Sequence, residues 1–373
     1  MKGRKALFLT NKKYIDPSSP EGGVKFCTQE YIDLIETKFE IILFPVQLKS
    51  SFIYRFKKKA GLSAYEEYKV SKYERQLKDV IKENNIQYVF LNLTNTITYS
   101  KLIKELCPSV KIVLCSHGNE SGDFLHEMVL HKKQYGFKKI AAQYLLGKML
   151  STESTYRKYI DLVLTVSDVE LNIEKWLGSE NVYMVARTIT GDMIDHHPAK
   201  GRIGFFADLS HVPNYYGIIR ICNELKKLNT SEIELRLVGG QKIIGKSLED
   251  EFSFLSYLGY LAEKELQEEM STWTFSLNPV FYYSRGVSTK LGKSLRWGLP
   301  VITTTKGMRG YKWRQGEILN CDTAKEMATL IMQHANNIES SFFYRNEILK
   351  MKASSPSREQ MMNEICDIMK IYN

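Results

Sequence analysis

The residues best suited to chemistry stand together near the end of the chain. Gly286, Ser288, Thr289 and Lys290 lead into a helical stretch, 288–297, that stops at Gly298 and gives way to apolar Leu299, Pro300, Val301 and Ile302. A loop that runs into a helix N-terminus presents N–H groups with no intrahelical partner at the positive end of the helix dipole. That is an anion site. Ser288 and Thr289 add hydroxyl donors, and Lys290 adds a full positive charge in the first turn. A lysine is unfavourable there unless an anion lies beside it, so its placement points to an anion. An ordinary helix cap is the plainer alternative.

The elements that must position this segment are legible in the hydropathy. Short, almost wholly apolar runs at 5–10, 41–46, 88–93, 111–115, 162–166 and 182–185 alternate with amphipathic stretches at 25–37, 69–83, 98–106, 136–159 and 169–177. Such strands, joined by helices, make a parallel sheet covered on both faces. The pattern restarts at 202–207 and continues through strands at 234–238, 254–259, 274–277 and 300–303, with helices near 215–227, 263–271 and 323–334. Between the two series, polar residues 188–201 with Gly191, Pro198 and Gly201 read as a linker. The expectation is an α/β protein of two doubly wound domains, 1–195 and 196–355, with a last helix in 356–373 crossing back to the first. In such sheets ligands bind at the carboxyl ends of the strands, so two of them would face one interdomain cleft.

Composition excludes several classes. The 373 residues are 43% hydrophobic, enough for large cores. The run Ala6–Thr10 is too short for the apolar part of a secretory leader, and no run approaches bilayer-spanning length. The six cysteines are scattered without a CxxC pair and read as buried thiols of a reducing cytoplasm; the seven histidines lack zinc-ligand spacing. A net charge of +10 asks for an anionic partner. Phe52, Ile53, Tyr54, Arg55 and Phe56, followed by Lys57, Lys58 and Lys59, suit an anionic membrane surface. A solvated helix face is the alternative, and no nucleic-acid-binding motif is present. Asp192 and Asp195 are too far apart for a DxD metal motif, so no metal is expected.

Taken in order, these landmarks resemble a GT-B glycosyltransferase of the retaining glycosyltransferase family 4, over nearly the whole chain. The family's pattern, roughly Gly-x-x-x-Lys-x-x-Glu-Ala-x-x-x-Gly-x-Pro-Val, is met by Gly286, Lys290, Lys293, Gly298, Pro300 and Val301. Glu21, Gly22, Gly23 and Val24 follow the first strand like the family's Gly-rich donor loop; Ser116, His117, Gly118, Asn119 and Glu120 follow the fourth. The 161–167 strand with its closing Ser167, the 205–214 strand and loop, and Gly239–Gly240 complete the series.

The resemblance implies roles. Gly22 and Gly23 would let the backbone approach a diphosphate. His117 would lie near the donor sugar, and Asn119 and Glu120 would bind its hydroxyls. Lys290, with Ser288 and Thr289, would hold the leaving β-phosphate. The co-substrate would be a nucleotide sugar, with no bound cofactor and no metal. The acceptor would be a glycan or lipid-linked glycan, and the site of action cytoplasmic, on the inner face of the plasma membrane. One departure stands out. Where many relatives carry Glu-x7-Glu, the second Glu holding the ribose hydroxyls, this chain has Arg285 and Lys293. Lysine donates to hydroxyls but cannot accept from them. Either the two cations pair with the donor's phosphates beside Lys290 while other groups, such as Asn278 and Tyr282, hold the rest of the nucleotide, or the chain is a catalytically silent glycan-binding or scaffold subunit. A nucleotide-sugar epimerase is a more distant reading, since its acidic and His-rich site is not apparent.

Overall fold

A computed structural model describes residues 4–19, 23–48, 52–59, 67–130, 137–282 and 286–370. The chain divides into two units, Met1–Ala186 with Ser357–Asn373, and Arg187–Pro356. In the first, strands β1 (Lys5–Asn11), β2 (Glu40–Val46), β3 (Tyr88–Asn92), β4 (Lys111–Cys115), β5 (Leu162–Thr165) and β6 (Val182–Met184) form one sheet in the order β2-β1-β3-β4-β5-β6. All its pairs are parallel. Its helices are α1 (Gly23–Ile35), α2 (Phe52–Lys59), α3 (Glu74–Glu83), α4 (Tyr99–Leu106), α5 (Glu120–Leu130), α6 (Phe137–Arg157) and α7 (Asp168–Trp176).

The second unit repeats the plan. Strands β7 (Arg202–Phe206), β8 (Glu234–Val238), β9 (Leu255–Gly259), β10 (Phe275–Asn278), β11 (Val301–Thr304) and β12 (Leu319–Cys321) lie in the order β12-β11-β10-β7-β8-β9, again parallel. They carry α8 (Val212–Leu225), α9 (Lys242–Glu251), α10 (Glu263–Ser271), α11 (Thr289–Trp297), α12 (Ala324–His334) and α13 (Ile338–Ser354). The final helix, α14 (Arg358–Ile368), belongs to the first unit.

The strands are mainly apolar because helices cover both faces. Ala6, Leu7, Phe8 and Leu9 are wholly buried, as are Ile203 and Phe205 on the equivalent strand of the other unit. Helix starts are set by local side chains. Ser167 accepts from the Glu170 N–H at the start of α7, and Thr323 and Ser357 form reciprocal capping boxes with Glu326 and Gln360. Gly298 ends α11 at φ +69°, a left-handed conformation that favours glycine, and a Cβ there would have to push aside the Met193 side chain.

The last helix packs on α1 through buried Met361, Met362 and Ile365. Arg358 pairs with Asp33 at 2.9 Å, and Glu364 accepts from the Tyr183 hydroxyl at 2.7 Å. On α2, Phe52 and Phe56 are 78% and 64% exposed beside exposed Arg55, while Tyr54 turns inward and its hydroxyl accepts from the Glu67 N–H. No helix among the described residues is long and apolar enough to cross a membrane.

Residues 188–201, whose composition reads as a loose linker, lie along the second unit. The N–H groups of Arg187, Ile194, His197 and Ala199 donate to the carbonyls of Gly310, Trp297, Ser271 and Thr272. Arg345 donates to the carbonyls of Gly298 and Ile194, and Lys352 to that of Gly191. Polar composition marks this stretch as irregular, yet its backbone polar groups are paired with strand and helix ends. The chain passes between units at 186/187 and 356/357.

Within this strap His196 donates from Nε2 to the Trp273 carbonyl at 2.9 Å and stands edge-on to Phe342. Burial, with Arg345 and His197 nearby, lowers its pKa to about 4. Its folded value lies below the unfolded one, so the unfolded chain binds the proton more readily, and stability falls as pH drops from 6.5 toward 4. Denaturant unfolding should show a loss on the order of 1–2 kcal/mol between about pH 7 and 5 from this group. His196→Gln, which keeps a donor for the Trp273 carbonyl, should flatten that dependence. An unchanged slope would show that His196 does not set it.

Candidate active site

In the second unit the site grows from the carboxyl end of β10. Asn278, at that end and fully buried, donates to the Thr303 hydroxyl at 2.9 Å and to the Gly307 carbonyl at 3.2 Å. Its Oδ1 accepts from the Ser288 hydroxyl at 2.8 Å. Ser288 is the N-cap of α11, its Oγ accepting from the Leu291 N–H at 3.3 Å. One amide thus ties β10, β11 and the start of α11 together. Tyr311 reinforces the join by donating to the Ser288 carbonyl at 2.9 Å, and Gly292 leaves room for it, since a Cβ would lie 2.4 Å from the Tyr311 oxygen. The N–H groups of Thr289 and Lys290 lie in the first turn outside the Ser288 cap.

Lys290 extends from this turn across the sheet edge. Its ammonium donates to Asn214 Oδ1 at 2.7 Å and stands 5.9 Å from the centre of the Phe205 ring. Asn214 is held in turn by donating to the Asp208 carbonyl at 2.9 Å. Among the described residues no carboxylate pairs with Lys290. Burial lowers its pKa to about 8, and the Arg309 guanidinium pushes in the same direction. Arg309, 9% exposed, donates to the Lys306 carbonyl in the turn after β11. Two cations beside a helix N-terminus, Lys290 among them with no described acid to neutralise it, make a site organised for an anion.

The first unit has its own polar knot at the same edge of its sheet. Asn92, at the end of β3, donates to the hydroxyls of Thr10 at 2.8 Å and Thr28 at 2.9 Å. Thr28 gives its own proton to the Val24 carbonyl, so it must accept from the amide. That fixes Asn92 Oδ1 toward His117 Nε2, 2.7 Å away, and makes Nε2 the protonated nitrogen. The ring also packs against Tyr31 at 5.5 Å, whose hydroxyl donates to the Ser116 carbonyl at 2.8 Å.

The expected site residues separate into three groups. Lys290 and Thr289 stand in the α11 first turn, and His117 and Glu120 stand just past β4. Gly23 opens α1 with open space where a Cβ would be. Others serve the fold. The Ser288 hydroxyl is engaged by Leu291 and Asn278, so the cap contributes backbone N–H groups and no free hydroxyl. Asn119, expected to bind sugar hydroxyls, has its amide oxygen occupied by the Gly122 N–H, and it donates to Glu153 at 3.1 Å. Asn278 is enclosed, and Tyr282 donates to the Val212 carbonyl. Lys293 pairs with Glu263 at 2.7 Å and lies over the Trp297 ring. Its charge is directed at a carboxylate. Gly22 and Arg285 lie outside the described residues.

Asn92, Glu153, Glu263 and Arg309 belong to none of the motifs read from the sequence, and Asn214 ends the 205–214 strand and loop with no role of its own assigned there. Asn92 alone leaves a trace there, as the polar residue closing an apolar strand. Glu153 is wholly buried and accepts from Ser121 Oγ at 2.7 Å, which anchors the start of α5 to α6. One turn on, Arg157 holds buried Glu174 bidentately at 2.6 and 2.8 Å. Among the described residues no three His, Cys, Asp or Glu side chains converge to hold a metal ion.

Comparison with known proteins agrees with this architecture. Residues 200–337 match the model of the family Glycosyl transferases group 1. No curated protein sequence matches significantly. Solved structures match over the full length. Sucrose-phosphate synthase from Thermosynechococcus elongatus superposes with a TM-score of 0.67 at 12% identity, covering 99% of each chain. The lipopolysaccharide outer core galactosyltransferase WaaB gives 0.62 at 13%, covering 100% of this chain and 99% of the other. A UDP-forming α,α-trehalose-phosphate synthase from Burkholderia xenovorans gives 0.57 at 11%, covering 98% of each. The chain therefore has the two-unit fold of these GT-B structures, and residues 200–337, in the unit that carries Lys290, match the Glycosyl transferases group 1 model.

Proposed function

We propose that this chain is a glycosyltransferase that moves a sugar from a nucleoside diphosphate sugar to a glycan or lipid-linked glycan acceptor. The observation that carries the reading is the half-buried Lys290 ammonium, beside Arg309 and the α11 N-terminus, with no carboxylate among the described residues to pair it. When the bond from the sugar anomeric carbon to the β-phosphate oxygen breaks, its electron pair leaves on that oxygen. Fixed cations and N–H groups aimed at the developing charge lower the barrier without reorganising. His117, oriented by Asn92, is the candidate for a contact with the donor sugar, and Glu120 and Gly23 are candidates beside it.

Retention of configuration and independence of metal are carried over from the family resemblance. So is a place in surface polysaccharide, lipopolysaccharide or glycoprotein glycan synthesis, a reading supported by the likeness to WaaB, a lipopolysaccharide outer core galactosyltransferase. The silent-subunit reading draws on Lys293, whose pairing with Glu263 takes it out of phosphate binding. A thermal-shift panel of UDP, GDP, dTDP and CMP sugars separates the two. A bound donor at about 100 times its Kd adds about 2.7 kcal/mol of stability, whereas no shift with any of them supports the silent subunit.

Lys290 gives a paired prediction. Its folded pKa, about 8, lies below the unfolded value, so the cost of its charge is full below pH 8 and is relieved as pH rises toward 10.5. Lys290→Met should therefore stabilise the unliganded protein at about pH 7, on the order of 1–3 kcal/mol by denaturant unfolding. The same variant should lose about ten- to a hundredfold in nucleoside diphosphate affinity by calorimetry. A destabilised variant with unchanged affinity would make Lys290 structural.

The surface of α2 supports peripheral docking on anionic lipid. Exposed Phe52 and Phe56 suit the headgroup layer, and exposed Arg55 suits its charge; the side chains of the expected lysines at 57–59 lie outside the described residues. The protein should sediment with phosphatidylserine-containing vesicles, release as salt is raised, and bind neutral vesicles weakly. Phe52→Ser with Phe56→Ser should abolish most of the binding. Equal sedimentation with both vesicle types, or with neither, would leave a soluble acceptor.

A further inference from the structure

Two helices start at the carboxyl edges of the sheets, α5 past β4 and α11 past β10, and their first turns are supplied with charge in opposite ways. At α11 the turn carries a cation, Lys290, which no carboxylate among the described residues pairs. At α5 the protein supplies an anion of its own. Asn119 caps this helix, its Oδ1 accepting from the Gly122 N–H, and the wholly buried Glu153 of α6 closes on the same turn. One carboxylate oxygen accepts from the Ser121 N–H at 3.2 Å. The other accepts from the Ser121 hydroxyl at 2.7 Å and from the Asn119 amide at 3.1 Å. Two of the N–H groups that have no intrahelical partner, those of Ser121 and Gly122, are thus satisfied inside the protein. The cap also dictates what α6 must provide. Turning the Asn119 amide over would set a donor against the Gly122 N–H, so its Nδ2 has to face Glu153. Three donors then converge on one side chain, and only a group that accepts without donating takes all three as they stand. A negative charge there is favoured by the helix dipole as well.

We propose that Glu153 is the positioning residue of the first unit's sugar-contact loop, a built-in anion whose hydrogen bonds fix the end of 117–120. This rests on the nucleotide-sugar reading above, which gives that loop to the donor sugar. Asn92 orients His117 at the start of the loop, and the chain then turns through Gly118, at φ +124°, to Asn119. Asn92 therefore aims the imidazole, while Glu153 sets where the loop ends and where Glu120, the first residue of α5, stands. Being wholly buried, Glu153 touches no ligand and acts through Asn119 and Ser121. Because its anion is already in place, the start of α5 does not compete with α11 for phosphate. The loop is left for hydroxyls.

The test separates the sugar from the diphosphate. Calorimetry of wild type with UDP-glucose, UDP-galactose, GDP-mannose and dTDP-glucose, each beside its free diphosphate, finds the pair that binds. In Glu153→Gln the new amide sets a donor against the Asn119 donor. Affinity for the nucleotide sugar should fall about tenfold, while that for the free diphosphate, held by the other unit, stays unchanged. Adding Asn119→Asp should recover most of the loss, because the introduced carboxylate still caps α5 and accepts from the glutamine amide. Ser121→Ala, which removes one donor and keeps the N–H, is the milder variant should Glu153→Gln not fold, and it should show the same split with a smaller loss. Circular dichroism checks the fold of each. Equal weakening of both ligands, weakening of neither, or a loss that Asn119→Asp does not recover overturns the assignment and leaves nucleotide binding in place. If none of the diphosphates or their sugars binds wild type, the nucleotide reading itself fails and this inference falls with it.

Discussion

A half-buried ammonium without a carboxylate is unfavourable, and the second unit is built around one. Desolvation penalises the charged form of Lys290, and Arg309 adds repulsion. The compensation among the described residues is a neutral contact, Asn214 Oδ1. Such a group persists when the structure around it is held firmly enough to tolerate the cost and when a ligand recovers it. The Asn278 knot supplies the firmness by fixing β10, β11 and the α11 cap through one amide. An incoming diphosphate would recover the cost by replacing a weak acceptor with charged oxygens.

The two units solve the same positioning problem in the same way. Each places an asparagine at the carboxyl end of a central strand and uses both polar atoms of its amide to orient the functional loop beside it. In the first unit Asn92 fixes the tautomer and the ring of His117; in the second Asn278 fixes Ser288 and hence the first turn bearing Lys290. Behind them lie buried ionic contacts such as Arg157 with Glu174, where loss of one partner costs about 3–5 kcal/mol because the other is left charged in the interior. The candidate residues are thus carried on loops whose ends are determined by the sheets. Loops so anchored can vary in sequence without losing the site.

Much of this is legible in the sequence where the signal is local or periodic. Apolar runs at 5–10 and 202–207 fall on β1 and β7, and the start of α11 at Thr289 follows from Ser288, Lys290 and Gly298. Elements without such signals are not. Helix α13 has no one-sided apolar stripe, α9 carries few apolar residues on a polar background, and β12 is three residues long. Site roles are less legible than the fold, because a side chain's partners are distant in sequence. Ser288 and Asn119 have the right chemistry for a ligand, yet their hydrogen bonds run to Asn278 and Glu153, 10 and 34 residues away. Arg309 and Glu153 belong to no short motif and become candidates only when the fold brings them beside α11 and α5.

Lys290, held as an under-compensated charge awaiting an anion, is the group on which the functional reading stands. Its titration is the direct measurement, by NMR of the side-chain Cε and Nζ resonances, in the free protein and with a saturating nucleoside diphosphate. The expected midpoint is near 8 in the free protein and moves above the ordinary lysine value of about 10.4 when the diphosphate binds. A midpoint at the ordinary value in the free protein, or one that does not move on binding, would contradict it.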